Sequence, residues 1–244
     1  MTELLEKIFN TREFKNSKGE TIKIHSETFR SQCVFLQDLI KQYNFRNSIE
    51  IGFAYGTSTV AILEEITKNS GTHTVIDPFQ NKHWGGNGID LVNQSGFSKD
   101  MIFIEDFSYS ALPELLKSGK KYDFAYIDTT KILDYLVVDF FFLDKMIEVG
   151  GIISFDDVHF PGIRKLLRYL SQFPHYEVIG QYPKNKKQNR SLKQSLFLKL
   201  FPKQINNLRE NISVSDFDLG VNANCIALKK ISEDDRRWDW YTKF

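Results

Sequence analysis

The chain is poor in several things, and each shortage excludes something. Among 244 residues there are two cysteines, Cys33 and Cys225, with no Cys-x-x-Cys pair. That count excludes a disulfide scaffold and a thiolate zinc site. No run of 18 or more apolar residues occurs, so no segment reads as a membrane-spanning helix. The first residues, Met1-Thr-Glu-Leu-Leu-Glu-Lys, are acidic where a secretion signal is basic and then apolar. Charge of one sign is also missing: 32 Lys+Arg stand against 31 Asp+Glu, a net charge of +1. Such a balance gives no global field for nucleic acid or an anionic membrane. The expectation is a reduced, cytoplasmic protein without nucleic-acid or membrane partners.

Aromatic residues are plentiful, at 14% with 21 Phe, which is incompatible with wholesale disorder. The length suits one well-filled domain, here taken as residues 1–244. Residues 2–9 have the pattern of a short amphipathic helix, and 10–25 are polar with a turn at Lys18-Gly19. From Ser26, read as an N-cap, Phe29, Cys33, Phe35, Leu36, Leu39, Ile40 and Tyr43 fall on one helical face. These make an N-terminal helical segment over 1–46.

Beyond it the rhythm changes. Apolar runs at 48–51, 72–76, 101–104, 122–127 and 151–155 alternate with helix-length segments near 57–69, 88–95, 108–118, 131–148 and 161–172. Two more strands are expected near 176–181 and 222–229. The runs are apolar on both alternations, as strands covered on both faces are. This predicts a Rossmann-like, doubly wound α/β fold with a mostly parallel seven-stranded sheet and helices on both faces. The Phe140-Phe-Phe142 run is assigned to the core. Residues 183–220 interrupt the alternation. From Pro183 to Leu208 this insertion is basic, has no acidic residue and carries Leu196, Leu200 and Phe201. It is expected to cover an acceptor crevice or to form a contact between subunits.

The strongest local signal is Glu50-Ile-Gly52-Phe-Ala54-Tyr-Gly56-Thr57-Ser58, between the first of these strands and its helix. Its small residues let backbone approach a ligand, and Thr57 or Ser58 is placed to cap the helix. The spacing is not Gly-x-Gly-x-x-Gly, which counts against a nucleotide-dependent oxidoreductase. Asp77 ends the next strand, where an acid accepts hydrogen bonds from both hydroxyls of a ribose. Asp128 ends the fourth strand, and Asp156 and Asp157 the fifth. Carboxyl ends of neighbouring strands line one crevice in an open parallel sheet, so the three could hold a hard divalent cation such as Mg²⁺. His159 lies at the same crevice as a candidate base. Trp84, in a glycine-rich loop after Asp77, is a candidate stacking surface, and His25 and His73 read as structural.

The glycine turn followed by Asp77 resembles class I S-adenosylmethionine-dependent methyltransferases over about residues 26–230. The run Ile127-Asp128, Asp134-Tyr135, Asp139-Phe140 and Gly150-Gly151-Ile-Ile-Ser-Phe-Asp156-Asp157-Val resembles the small-molecule and sugar O-methyltransferases, with kinship to the catechol type. The resemblance implies methionine binding at Gly52, Ala54 and Gly56, with Glu50 bracing the turn or receiving the ammonium. It implies ribose binding at Asp77, adenine contacts at Asp106 or Ser108, and a cofactor contact at Asp128. Metal-dependent relatives imply a cation at Asp128, Asp156 and Asp157. Relatives often read Ile-Asp-Gly-x-His after the fourth strand, whereas this chain reads Ile127-Asp128-Thr129-Thr130-Lys131. Lys131 then becomes a candidate base, provided that its pKa is depressed. Methylation of nucleic-acid bases is disfavoured, because Asp128-Thr-Thr-Lys131 is not the Asp/Asn-Pro-Pro-Tyr/Phe of amino-methylating relatives. A small hydroxylated acceptor is expected. A cofactor-binding protein without catalysis stays open as the alternative.

Overall fold

The structure is a computed structural model that describes residues 1–26, 28–183 and 216–242. Most of the insertion, residues 184–215, therefore lies outside the described residues. Helix α1 (Glu3–Thr11) leads to a hairpin of β1 (Glu13–Lys15) and β2 (Thr21–Lys23). Helix α2 (Arg30–Tyr43) precedes the main sheet. Then β3 (Asn47–Ile51), α3 (Thr57–Ile66), β4 (Thr72–Ile76), α4 (Asn87–Gln94), β5 (Met101–Ile104), α5 (Ser108–Lys117) and β6 (Tyr122–Ile127) alternate. They continue with α6 (Leu133–Met146), β7 (Ile147–Phe155), α7 (Pro161–Leu170), β8 (Tyr176–Tyr182) and β9 (Cys225–Lys230).

The sheet has seven strands in the order β5-β4-β3-β6-β7-β9-β8. The pairs among β3–β7 are parallel, and β9 runs antiparallel between β7 and β8. The expected fold class is what is found. Two-residue alternation explains the two-sided burial. Ala125 and Ile127 of β6 point into the cluster formed with α5, α6 and α7, whereas Phe124 and Tyr126 point into the one formed with α2 and α3. The strand order reverses between β3 and β6, which places a crevice at their carboxyl ends. No helix among the described residues is long and apolar enough to cross a membrane.

Four local expectations need correction. The polar stretch 10–25 holds the β1–β2 hairpin, because Phe14 and Ile24 supply enough burial to fix it. Helix α2 starts at Arg30 instead of next to Ser26; Phe29 is its N-cap, and the Gln32 side chain accepts the Phe29 N–H at 3.2 Å. Neither Thr57 nor Ser58 caps α3: Gly56 holds that position in the left-handed region, and the hydroxyls are committed elsewhere. Of the three phenylalanines of α6 only Phe140 is core, and Phe141 is 53% exposed, since three consecutive residues cannot share one helical face.

Asp139 of α6 faces inward at 1% exposure, and neither carboxyl oxygen has a hydrogen-bond partner. Burial raises its pKa to about 6, and the nearby Ser108 hydroxyl draws it back only in part. A folded-state pKa above the ordinary 3.8 means that the native protein binds the extra proton between those values. Stability therefore falls as pH rises from about 4 to about 6, and the cost stays in place above that. Asp139→Asn is expected to be more stable than the wild type at pH 8, by on the order of 1–3 kcal/mol, with the gain gone at pH 4. Denaturant midpoints at the two pH values check this; an equal gain at both would assign it to packing.

Candidate active site

The strand ends are tied together through their backbones. Gly52 N–H donates to Ile76 O (2.9 Å), Asp128 N–H to Ile51 O (3.0 Å) and Asp156 N–H to Ile127 O (3.1 Å). These bonds extend the parallel ladder by one residue beyond each strand. Gly52, Asp77, Asp128 and Asp156 thereby stand along one edge of a cavity of about 620 Å³.

The glycine turn is built by close approach. Gly52 has φ +98°, and a Cβ there would lie 1.9 Å from the Asp128 carbonyl oxygen. Gly56 has φ +79°, and its Cβ would strike the Phe53 ring at 2.7 Å. Behind the turn, Glu50 is wholly buried and lies outside the cavity lining. It accepts from the Ser58 hydroxyl, from the Thr59 hydroxyl at 2.6 Å and from His73 Nε2 at 3.0 Å. His73 in turn meets the Ser48 hydroxyl through Nδ1 at 2.8 Å. Glu50 is thus a brace between β3 and the first turn of α3.

Asp77 ties the same turn from the other side. Its Oδ2 accepts the Phe53 N–H (2.9 Å) and the Ala54 N–H (3.2 Å), and its Oδ1 accepts the Phe79 N–H (2.7 Å). The carboxylate lines the cavity, so one group fixes the turn and faces the ligand space. Gln80 adds a further link, donating to the Ala54 carbonyl at 2.9 Å and accepting the Gly88 N–H at 2.9 Å. Trp84 and Ser108 line the cavity. Asp106 does not; it is exposed and accepts the N–H of Phe107 next to it at 2.7 Å.

The acidic end of the cavity departs from the expected arrangement. Lys131 Nζ donates to Asp128 Oδ1 at 2.7 Å and reaches Asp157 Oδ2 at 2.9 Å. Asp156 is held apart. Its Oδ1 accepts from Gln32 Nε2 (2.6 Å), the Asp157 N–H (2.7 Å) and Asn224 Nδ2 (3.3 Å), and its Oδ2 accepts from the Tyr126 hydroxyl (2.8 Å). The three carboxylates expected to form a metal site do not converge. Among the described residues, the one His/Cys/Asp/Glu group gathered within 4.8 Å is Asp144, His175 and Asp234, at the opposite end of β7, where Lys230 and Arg236 already stand. The donor set at Asp128 and Asp157 fits a cation, but that place is filled by an ammonium. A three-carboxylate metal centre does not fit these residues.

The charges follow from this geometry. Burial, with Asp128 adding to it, pushes the Asp156 carboxyl up to about 7. Burial also raises Asp128 above the ordinary range, against the pull of Lys131. For Lys131, burial favours the neutral amine, but the Asp128 and Asp157 carboxylates outweigh it and raise its pKa. The depressed pKa that a lysine base requires is therefore not found; Lys131 is an ammonium. His159 is 61% exposed and lies outside the cavity lining; it donates through Nδ1 to Oδ1 of Asn224, which does line the cavity, at 2.7 Å. Gln32, Tyr126 and Asn224 carry this polar wall and have no sequence signature. They come from α2, β6 and the residue before β9, and only the folded sheet brings them to Asp156. Around the mouth, Phe29, Phe107, Tyr109, Ile132 and Tyr135 are all at least 40% exposed and line the cavity.

Residues 49–158 match the model of a methyltransferase domain family. The tapetum-specific methyltransferase 1 of Arabidopsis thaliana is 32% identical over 130 residues, covering 52% of each chain. The caffeoyl-CoA O-methyltransferase 2 of Petunia hybrida is 28% identical over 151 residues, covering 57% of this chain and 60% of that one. The chain thus spans about half the length of such curated relatives. Among solved structures, an O-methyltransferase from Bacillus cereus in complex with SAH superposes with a TM-score of 0.60 at 17% identity, over 73% of this chain and 83% of that one. The shared architecture is the Rossmann-like methyltransferase fold.

Proposed function

We propose that this chain, which carries a methyltransferase domain on the class I fold, transfers a methyl group from S-adenosylmethionine to a hydroxyl of a small molecule. The observation that carries the proposal is the joint placement of Gly52, Phe53 and Ala54 of the glycine turn and of Asp77 on one cavity at the switch point of the sheet. Bound S-adenosylmethionine supplies an electrophilic methyl group on sulfur.

The protein's own part is to bind, orient and manage a proton. In this proposal the turn at Gly52 and Ala54 receives the methionine portion against backbone, with Gly56, Glu50, Thr57 and Ser58, which lie outside the cavity lining, holding its shape. Asp77 accepts from the ribose hydroxyls. Ser108, which lines the cavity, is favoured for the adenine edge over Asp106, which does not. Asp128, at the end of β6 beside Gly52, contacts the cofactor and anchors Lys131. The Lys131 ammonium faces the cavity as a hydrogen-bond donor that favours a negatively charged acceptor oxygen. The acceptor's proton leaves past Asn224, and Nε2 of His159, which stands behind Asn224 outside the cavity lining, is the receiving atom. The aromatic mouth supports a phenolic or other flat hydroxylated acceptor. Holding two reactants in line is worth about 7–11 kcal/mol of barrier, so positioning is the larger share of the task.

The test is transfer of labelled methyl from S-adenosylmethionine to a panel of phenols, catechols and glycosides. Labelled, O-methylated product is expected from at least one class. Stoichiometric cofactor binding with no transfer to any class would favour the cofactor-binding alternative.

A further inference from the structure

We propose that the cation serving the Asp128–Asp157 pair is the ammonium of Lys131 itself, and that a divalent ion enters only by displacing it. Asp128 follows β6 and Asp157 follows β7, and these strands are neighbours in the sheet. Their carboxylates face each other across the crevice, and Nζ sits between them at 2.7 and 2.9 Å. Both contacts are of charge-assisted length. Lys131 stands three residues after Asp128, and its backbone is pinned: a Cβ on Gly162, in the first turn of α7, would lie 2.3 Å from the Lys131 carbonyl. Asp157 is held in the left-handed region, at φ +54°. Asp156, the third oxygen donor that a hard cation would recruit, is already engaged by Gln32, Tyr126, Asn224 and the Asp157 N–H.

A Mg²⁺ ion demands oxygen ligands at about 2.0–2.1 Å in near-octahedral array. The pair offers two carboxylates spread around an ammonium at the longer spacing of a hydrogen bond. Ion and ammonium therefore compete for one place. The inference rests on the proposed methyl transfer only in locating the pair beside the donor; the cation assignment itself rests on the distances.

Mn²⁺ serves as the probe, with free ion measured by electron paramagnetic resonance. Lys131→Met keeps an unbranched side chain one atom shorter and removes its charge. It is expected to bind Mn²⁺ at least tenfold tighter than the wild type, and adding Asp157→Asn should reverse the gain. Lys131→Arg, which keeps the charge, is expected to bind as weakly as the wild type. Equal Mn²⁺ affinity in wild type and Lys131→Met, or no binding by either, would overturn the proposal. Should Lys131→Met fail to fold, Lys131→Gln carries the same expectation. Calorimetry with S-adenosylhomocysteine on the same samples separates the two ideas. Lost cofactor affinity in the wild type counts against the proposed function, whereas the Mn²⁺ comparison alone decides the cation.

Discussion

Replacing Gly52 by alanine is expected to abolish measurable cofactor binding, a loss of at least a hundredfold. A Cβ at this position would stand 1.9 Å from the Asp128 carbonyl oxygen and 2.8 Å from its carbon. Both are backbone atoms at the end of β6, so no side-chain rotation relieves the overlap. The residue also has φ +98°, where an L side chain is strained by about 1–3 kcal/mol. The turn and the β6 end must separate, which breaks the backbone bond from Asp128 N–H to Ile51 O that sets the cavity edge. A hundredfold loss corresponds to about 2.7 kcal/mol, well within the reach of these two effects. Calorimetry with S-adenosylhomocysteine, together with a thermal melt, checks it. Wild-type affinity in a folded Gly52→Ala protein would show that the ligand does not meet this turn.

Asp77→Ala is expected to weaken the cofactor at least tenfold, about 1.4 kcal/mol, and to destabilise the fold as well. The carboxylate does two jobs that separate experimentally. Toward the protein it accepts three backbone N–H groups, from Phe53, Ala54 and Phe79. Leaving such groups without partners costs about 1–3 kcal/mol each where water cannot reach them. Toward the cavity, in the proposed function, its remaining lone pairs serve the ribose. Asp77→Asn keeps one acceptor oxygen for the turn but presents an amide where the second acceptor was. With its oxygen on Phe53 and Ala54 and its amide facing the Phe79 N–H, Asp77→Asn should recover part of the stability, while the affinity should not return. Affinity that recovers in step with stability would make Asp77 a brace alone.

Legibility in the sequence divided along physical lines. The sheet was readable because most of its parallel strands are short apolar runs closed by Gly or Asp, as at Ile49–Gly52 and Ala125–Asp128. The turn and the acid that the proposed function gives to the cofactor were readable because Gly52, Gly56 and Asp77 fall within one strand–helix–strand unit, and two of them need glycine for steric reasons. The hairpin at 13–23 was not, since Phe14 and Ile24 gain their burial from α1 and α3-side contacts that no local pattern announces. The polar wall around Asp156 was hidden more deeply. Gln32 lies 124 residues from its partner and Asn224 lies 68 residues away, and both look like ordinary polar residues in a linear reading. Without them, three acids at two strand ends pointed to a metal centre. With them, Asp156 has its own donors, and Lys131 supplies the positive charge for the other two.

The most direct measurement is a calorimetric titration of the purified protein with S-adenosylhomocysteine in parallel with a reduced nicotinamide dinucleotide. The expected result is one-to-one binding of S-adenosylhomocysteine that Asp77→Asn weakens at least tenfold, and no heat from the dinucleotide. Absence of S-adenosylhomocysteine binding, or binding of the dinucleotide in its place, would contradict it.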